Sequence, residues 1–295
     1  MSRAVTLVVL FVVALVAGCA STPPPASRVA PAADLSAALD AARDFAAVYD
    51  PEDILVIFDL DNTLLTMNGD LGSNQWYDWQ SDLRDQPGCV PERVNELLAT
   101  QGSLYFAGSM KPTQDNTAAI VRRLQEEDFR VMILTSRGLD FRLTTFRELR
   151  RNNLDFSHSG IPMDKDSRFD NLTYFGNKGR PVLYEDGVFM VAGQDKGIML
   201  ETLLQRSDWV WPDAIVAIDD TADKITALKT NLDDLGIPYR LFRYSGMDEA
   251  VSHFDPETAA RDWERIKDSL QTIQQVMGND NYQLPEQMAD PACTN

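Results

Sequence analysis

Histidine is nearly absent from this sequence: the 295 residues include two, His158 and His253, each expected on the surface or in the core. That argues against a histidine-rich metal site or a histidine-based phosphatase. Cysteine is almost as scarce, and three residues cannot build a disulfide framework or a four-cysteine zinc site. Positive charge is also short. Lys and Arg number 27 against 45 Asp and Glu, a formal net charge of −18, and so acidic a surface repels phosphate backbones, which disfavours nucleic-acid binding. No Gly-x-Ser-x-Gly elbow and no P-loop occur, and Cys89 lacks the spacing to arginine that cysteine phosphatases use. No internal period appears, which removes repeat architectures. What remains is 44% hydrophobic and 24% charged, enough for a packed core in one sizeable domain with an insertion or in two modest domains.

The two ends differ from the middle. The apolar run from Ala4 to about Gly18 follows Arg3 and is short of the about 20 residues a spanning helix needs, so residues 1–18 read as an export signal. Leu15-Val16-Ala17-Gly18-Cys19 resembles the lipobox of bacterial lipoproteins, in which the cysteine is acylated; the plainer reading is a cleaved signal that happens to contain a cysteine. Residues 19–33 are small, polar and Pro-rich and read as a tether. Ala20 and Ser21 resemble the lipoproteins sorted to the outer membrane of Gram-negative bacteria, which implies a domain facing the periplasm and attached to the membrane by its N-terminal lipid. Residues 278–295 read as an irregular tail. Cys89 and Cys293 could pair in an oxidising compartment or stay separate thiols.

Between the ends, strands and helices alternate. Ile54-Leu55-Val56-Ile57-Phe58, Val131-Met132-Ile133-Leu134, Ala214-Ile215-Val216-Ala217-Ile218 and Tyr239-Arg240-Leu241-Phe242 are short apolar runs suited to buried strands. Helical patterns are read over 34–49, 116–127 and 196–205, in a stretch ending near Gly236, and over 256–277, the last expected outside the sheet. This alternation predicts an α/β fold with a Rossmann-like parallel sheet, its core formed by residues 34–65 and 112–277. Two apolar runs around Glu185-Asp186-Gly187 predict a small β hairpin appended to the core. Residues 66–111 break the alternation and read as a small, mainly helical cap inserted after the first strand, with a helix near 91–99. Its Trp76, Tyr77 and Trp79 form either the core of the insertion or a stacking platform.

In such a sheet, ligands sit beyond the carboxyl ends of the strands. Three apolar strands end there in reactive residues: Asp59-Leu60-Asp61-Asn62-Thr63, Thr135-Ser136-Arg137 and Asp219-Asp220-Thr221-Ala222-Asp223, with Lys196 opening the helix before the third. Carboxylates from two strands could hold a hard divalent cation, with a hydroxyl and an ammonium to receive a phosphoryl group. Asp59 could instead open an EF-hand, but that loop needs Gly at its sixth position and Glu at its twelfth, where this chain has Leu64 and Asp70.

Taken in order, the Asp-x-Asp-x-Thr after a strand, the strand ending in Thr135, the lysine and the strand ending in an acidic pair resemble the four motifs of the haloacid dehalogenase-like phosphohydrolase superfamily. At finer grain, Trp-Tyr-Asp-Trp-Gln, Thr-Ser-Arg and Asp-Lys-Gly resemble a poorly characterised branch of exported bacterial proteins. The resemblance implies that Asp59 is the nucleophile, forming an aspartyl-phosphate, and that Asp61 is the general acid and base. Thr135 and Lys196 would hold phosphoryl oxygens, with Lys165, Lys178 and Lys224 as rivals for the lysine's place. Mg²⁺ would be bound by Asp59, the backbone carbonyl of Asp61 and the acidic pair, with Asp220 direct and Asp219 through water. Asp223 falls one residue short of one common form of the motif. Arg137 reaches either substrate or a surface acid. The implied activity is hydrolysis of a small phosphomonoester in the periplasm; alternatives are a phosphotransferase, or an envelope lipoprotein that keeps the fold for binding.

Overall fold

The structure, a computed structural model, describes residues 25–163, 180–207, 209–277 and Cys293. Cys19, Lys165 and Lys178 lie outside the described residues. The elements run β1 (Arg28–Ala32), α1 (Ser36–Ala46), β2 (Ile54–Phe58), β3 (Leu65–Met67), α2 (Asn74–Arg84), α3 (Leu97–Ala107), β4 (Met110–Pro112) and α4 (Thr117–Glu126). They continue with β5 (Arg130–Thr135), α5 (Arg142–Arg151), β6 (Leu183–Glu185), β7 (Val188–Met190), α6 (Lys196–Arg206) and β8 (Ala214–Asp219). The last are α7 (Ala222–Leu235), β9 (Tyr239–Tyr244), α8 (Asp248–Ser252) and α9 (Pro256–Met277).

Seven strands form one sheet in the order β1-β9-β8-β2-β5-β7-β6, parallel except for β6. This is a Rossmann-like α/β fold. The continuous apolar strands are buried on both faces, as their composition predicts. Alternate residues of β2 divide between the two layers: Ile54, Val56 and Phe58 pack toward α1 and α4, while Leu55 and Ile57 pack toward α6 and α7. From β2 the chain crosses to β5 on one side and returns to β8 on the other. β2 is therefore the switch point, and the crevice above its carboxyl end is where a doubly wound sheet binds ligands.

Three expectations about the sheet and the cap's place change. Residues 28–32, read as tether, are an edge strand parallel to β9, with Arg28 beside Arg240 and Ala32 beside Tyr244. An edge strand needs main-chain pairing more than apolar side chains, and at an edge a proline such as Pro31 is tolerated because one row of its N–H groups goes unpaired. The cap therefore follows the second strand, not the first. The hairpin β6–β7 is no appendage, because β7 pairs parallel with β5 and extends the main sheet.

Within the cap the helices differ from the reading. α2 spans the Trp-Tyr-Asp-Trp segment, its start capped by the Ser73 hydroxyl, which accepts the Trp76 N–H at 3.1 Å. The buried face of α2 is Trp76, Gln80 and Leu83. Gln80 disguises the stripe, since it is buried only by donating to the Glu92 carbonyl at 2.8 Å and accepting the Val94 N–H at 2.9 Å. The second cap helix begins at Leu97, after Glu96 in a left-handed conformation (φ +48°), so Pro91–Glu96 is not helical. A two-stranded antiparallel ribbon, β3–β4, is the stem. α9 does not simply lie outside the sheet: Ala259 is buried with Trp76, Val94, Leu97 and Leu104 of the cap, and Trp263 packs on the same cluster.

Candidate functional site

Asp59 and Asp61 lie on the turn that follows β2. The turn closes with the Leu64 and Leu65 N–H groups donating to the Leu60 carbonyl, both at 3.0 Å. At its apex Asn62 sits at φ +56°, a conformation that costs most residues but is tolerated by Asn, and its side chain accepts from the Thr66 hydroxyl at 3.1 Å. The bend separates the two carboxylates, which face different partners.

Asp59 belongs to a cluster with the two acids that end β8. Oxygens of Asp59, Asp219 and Asp220 all lie within 4.8 Å of one another, with Asp59 and Asp219 buried and Asp220 half-buried. The buried ammonium of Lys196, at the start of α6, donates to Asp59 Oδ1 at 2.7 Å and to Asp219 Oδ2 at 2.6 Å. It is aimed there because Asp195 caps the helix, accepting the Ile198 N–H at 3.0 Å. Burial alone would push the lysine down, but Asp219 and Asp59 outweigh it and hold it protonated above the ordinary lysine range. Three carboxylates facing one ammonium leave negative charge in excess. Burial, reinforced by the neighbouring acids, pushes Asp59 well above the usual carboxylate range against the pull of Lys196. Burial and Asp219 push Asp220 up to about 7. Such a set fits a hard cation bound through oxygen.

The two acids of the pair are not equivalent. Asp219 has both oxygens engaged, one by Lys196 and the other by the Thr221 N–H at 2.8 Å. Among the described residues Asp220 accepts only the neighbouring Thr221 hydroxyl, at 3.1 Å, which leaves more of its carboxylate open than Asp219 has. Thr63, which had no role assigned in the motif reading, ties the two loops together. Its hydroxyl accepts the Asp220 N–H at 3.1 Å and lies 3.5 Å from Asp59 Oδ2. Its place in the Asp-x-Asp-x-Thr pattern was the available signal. Asp223 is exposed in the first turn of α7 and is not part of the carboxylate cluster. Lys224 lines the same cavity without bonding to Asp59 or Asp219. His158 and His253 are exposed.

Asp61 turns the other way. Arg137 donates Nε to Asp61 Oδ2 at 2.8 Å and Nη2 to Asp61 Oδ1 at 2.7 Å, and the Tyr105 hydroxyl of α3 donates to Oδ1 at 2.9 Å. Burial would raise this carboxyl, but Arg137 overrides it and holds Asp61 below the usual range, as an anion. The Arg137 guanidinium also lies 4.4 Å from the centre of the Tyr105 ring. Arg137 therefore meets an acid, the second of its two expected roles, although that acid is half-buried in the cavity wall rather than on the open surface. Thr135 is buried at the end of β5, where its hydroxyl accepts the Arg137 N–H at 3.2 Å.

One cavity of about 680 Å³ brings Asp59, Asp61, Thr135, Lys196, Asp219 and Asp220 together, roofed by Tyr77 and Tyr105 of the cap. Trp76 is buried in the cluster that joins the cap to α9, and Trp79 lies 6.1 Å from the Phe254 ring. The tryptophans are cap core, then, and of the three rings Tyr77 alone lines the cavity. Cys89 of the cap is disulfide-bonded to Cys293. No helix among the described residues is long and apolar enough to cross a membrane.

Fold and site together define a Rossmann-like α/β protein with a carboxylate cluster able to hold a metal ion at the carboxyl ends of its central strands. The chain belongs to the family described as a protein of unknown function (DUF2608), which it matches over residues 33–275. Comparison with curated proteins finds no match.

Proposed function

We propose that this chain is a phosphomonoesterase of the haloacid dehalogenase-like class, dependent on Mg²⁺ and acting through an aspartyl-phosphate. The observation that carries this reading is Lys196 bridging Asp59 and Asp219 while Asp220 keeps its carboxylate available. Asp59, Asp220 and the backbone carbonyl of Asp61 would hold the ion; when bound, it neutralises the carboxylates and the incoming phosphoryl charge.

The chain's own groups divide the remaining work. Lys196 fixes Asp59 Oδ1, which leaves Oδ2, with only the long Thr63 contact, to attack phosphorus. The bond from phosphorus to the ester oxygen breaks, and the alcohol departs with a proton. The Thr135 hydroxyl and Lys196 hold the phosphoryl oxygens. In the second half-reaction water attacks phosphorus, the bond to Asp59 breaks and Asp61 takes the water's proton. Paired with Arg137, Asp61 is already ionised and equipped for that step. To give a proton to the leaving alcohol, Asp61 must first leave Arg137 and Tyr105 and take up a proton from solvent water. The general-acid half of the role that the resemblance implies for Asp61 therefore needs this rearrangement, because Arg137 reaches it.

The lipobox-like Cys19 supports a lipoprotein on the periplasmic face of the outer membrane. The test of the activity is turnover of phosphomonoesters with Mg²⁺ and with EDTA. Metal-dependent release of phosphate, abolished by Asp59→Asn, is expected. No turnover in Mg²⁺ would contradict the reading and favour a non-catalytic binding role.

A further inference from the structure

The catalytic reading accounts for one pole of the cavity and leaves its rim unexplained. At about 680 Å³ the cavity falls in the range of sites that take a drug-sized organic ligand, about 300–1,000 Å³, and is far larger than a phosphoryl group requires. Two exposed leucines line it from opposite domains. Leu98, 45% exposed, stands on cap helix α3, and Leu139, 37% exposed, stands on the short turn after Arg137 in the core. Tyr77 and Pro181 line the same cavity. One exposed leucine means little, whereas apolar side chains gathered around a concave site mark a ligand surface.

Charge at the rim points the same way. Asp78 and Asp140 line the cavity together with Arg180 and Lys224, two acids against two bases. Among the described residues the rim thus offers no net charge to recognise a second carboxylate or phosphate, in contrast to the charged pole around Lys196. What it offers is apolar contact at Leu98, Leu139, Tyr77 and Pro181, beside the uncharged polar Asn74 and Ser136.

Resting on the phosphatase reading, we infer that the substrate is a phosphomonoester whose alcohol carries an uncharged apolar group, flat or branched, seated between Leu98 and Leu139. A small polar polyol phosphate would leave both leucines in water. The rim, not the buried tryptophans of the cap, then sets specificity.

The experiment compares benzyl phosphate with glycerol 1-phosphate on the full chain in Mg²⁺. Both are esters of primary alcohols, so the difference reads binding of the alcohol part more than bond reactivity. The expected kcat/KM ratio favours benzyl phosphate by about tenfold or more, carried mainly by KM. Leu98→Ser and Leu139→Ser, both at exposed positions that should not endanger folding, should each shrink that ratio. Equal use of the two esters, or preference for glycerol 1-phosphate, would overturn the substrate class and leave the phosphatase reading standing. A benzyl preference unchanged in both variants would overturn the assignment to this rim. Failure to hydrolyse either ester would overturn the phosphatase reading and this inference with it.

Discussion

Asp219 spends both oxygens on Lys196 and the Thr221 N–H, whereas Asp220 spends one on a neighbouring hydroxyl. That asymmetry predicts that Asp220→Asn weakens Mg²⁺ activation by about tenfold or more, with activity partly restored at high Mg²⁺. An unchanged Mg²⁺ titration would shift the direct ligand to Asp219. Asp61 carries a second prediction. Acid–base help is typically worth about 10²–10⁴-fold, and protonation matters most for poor leaving groups. Asp61→Asn should therefore slow an alkyl phosphate more than an aryl phosphate, and equal slowing would assign Asp61 a structural role. At this scale much of the site was legible. Acids and hydroxyl stand at the ends of apolar runs, the lysine opens the helix before the third of them, and a parallel sheet gathers strand ends. The charge state of Asp61 was not legible. It depends on Tyr105 and Arg137, which are 44 and 76 residues away in sequence and meet Asp61 only through the cap and the crossover.

Lys196 is placed by α6, and α6 is placed by its contact with α7. A Cβ on Gly197 would fall 2.5 Å from the Ala227 carbonyl oxygen and 2.8 Å from Asn231 Cβ. Neither is the far end of a flexible side chain, so α6 would have to move. Gly197→Ala should therefore cost about 1–3 kcal/mol of stability and reduce activity beyond what the loss of folded protein explains. Chemical denaturation and turnover on the folded fraction check both, and unaltered values would mean that α6 tolerates the shift. The central elements were legible because both faces of the sheet are covered and the strands consequently read as unbroken apolar runs. The missed elements share an opposite cause. β1 exists through main-chain pairing with β9, and α2 buries Gln80 by way of side-chain hydrogen bonds. Neither leaves a hydrophobic period to detect.

Across the whole molecule, the cap is held at several points: by its β3–β4 stem, by the Trp76 cluster shared with α9, and by Cys89–Cys293. The cross-link joins residues 204 apart in sequence, restricting a long stretch of the unfolded chain. Cys89→Ser, or reduction, is expected to cost about 2–5 kcal/mol, read as a lower denaturation midpoint in reducing buffer. Coincident midpoints would show that the bond adds no stability. The sequence left this pair open because spacing alone cannot bring two Cα atoms to the 4.8 Å found in the fold. The proposed activity requires that Asp59 become phosphorylated. The most direct measurement is peptide mass spectrometry of the chain after rapid acid quench from turnover of a phosphomonoester in Mg²⁺. A single phosphoryl group on Asp59 is expected, labile to hydroxylamine, absent with EDTA and absent in Asp59→Asn. Steady phosphate release with no label on Asp59, or with the label on another residue, would contradict it.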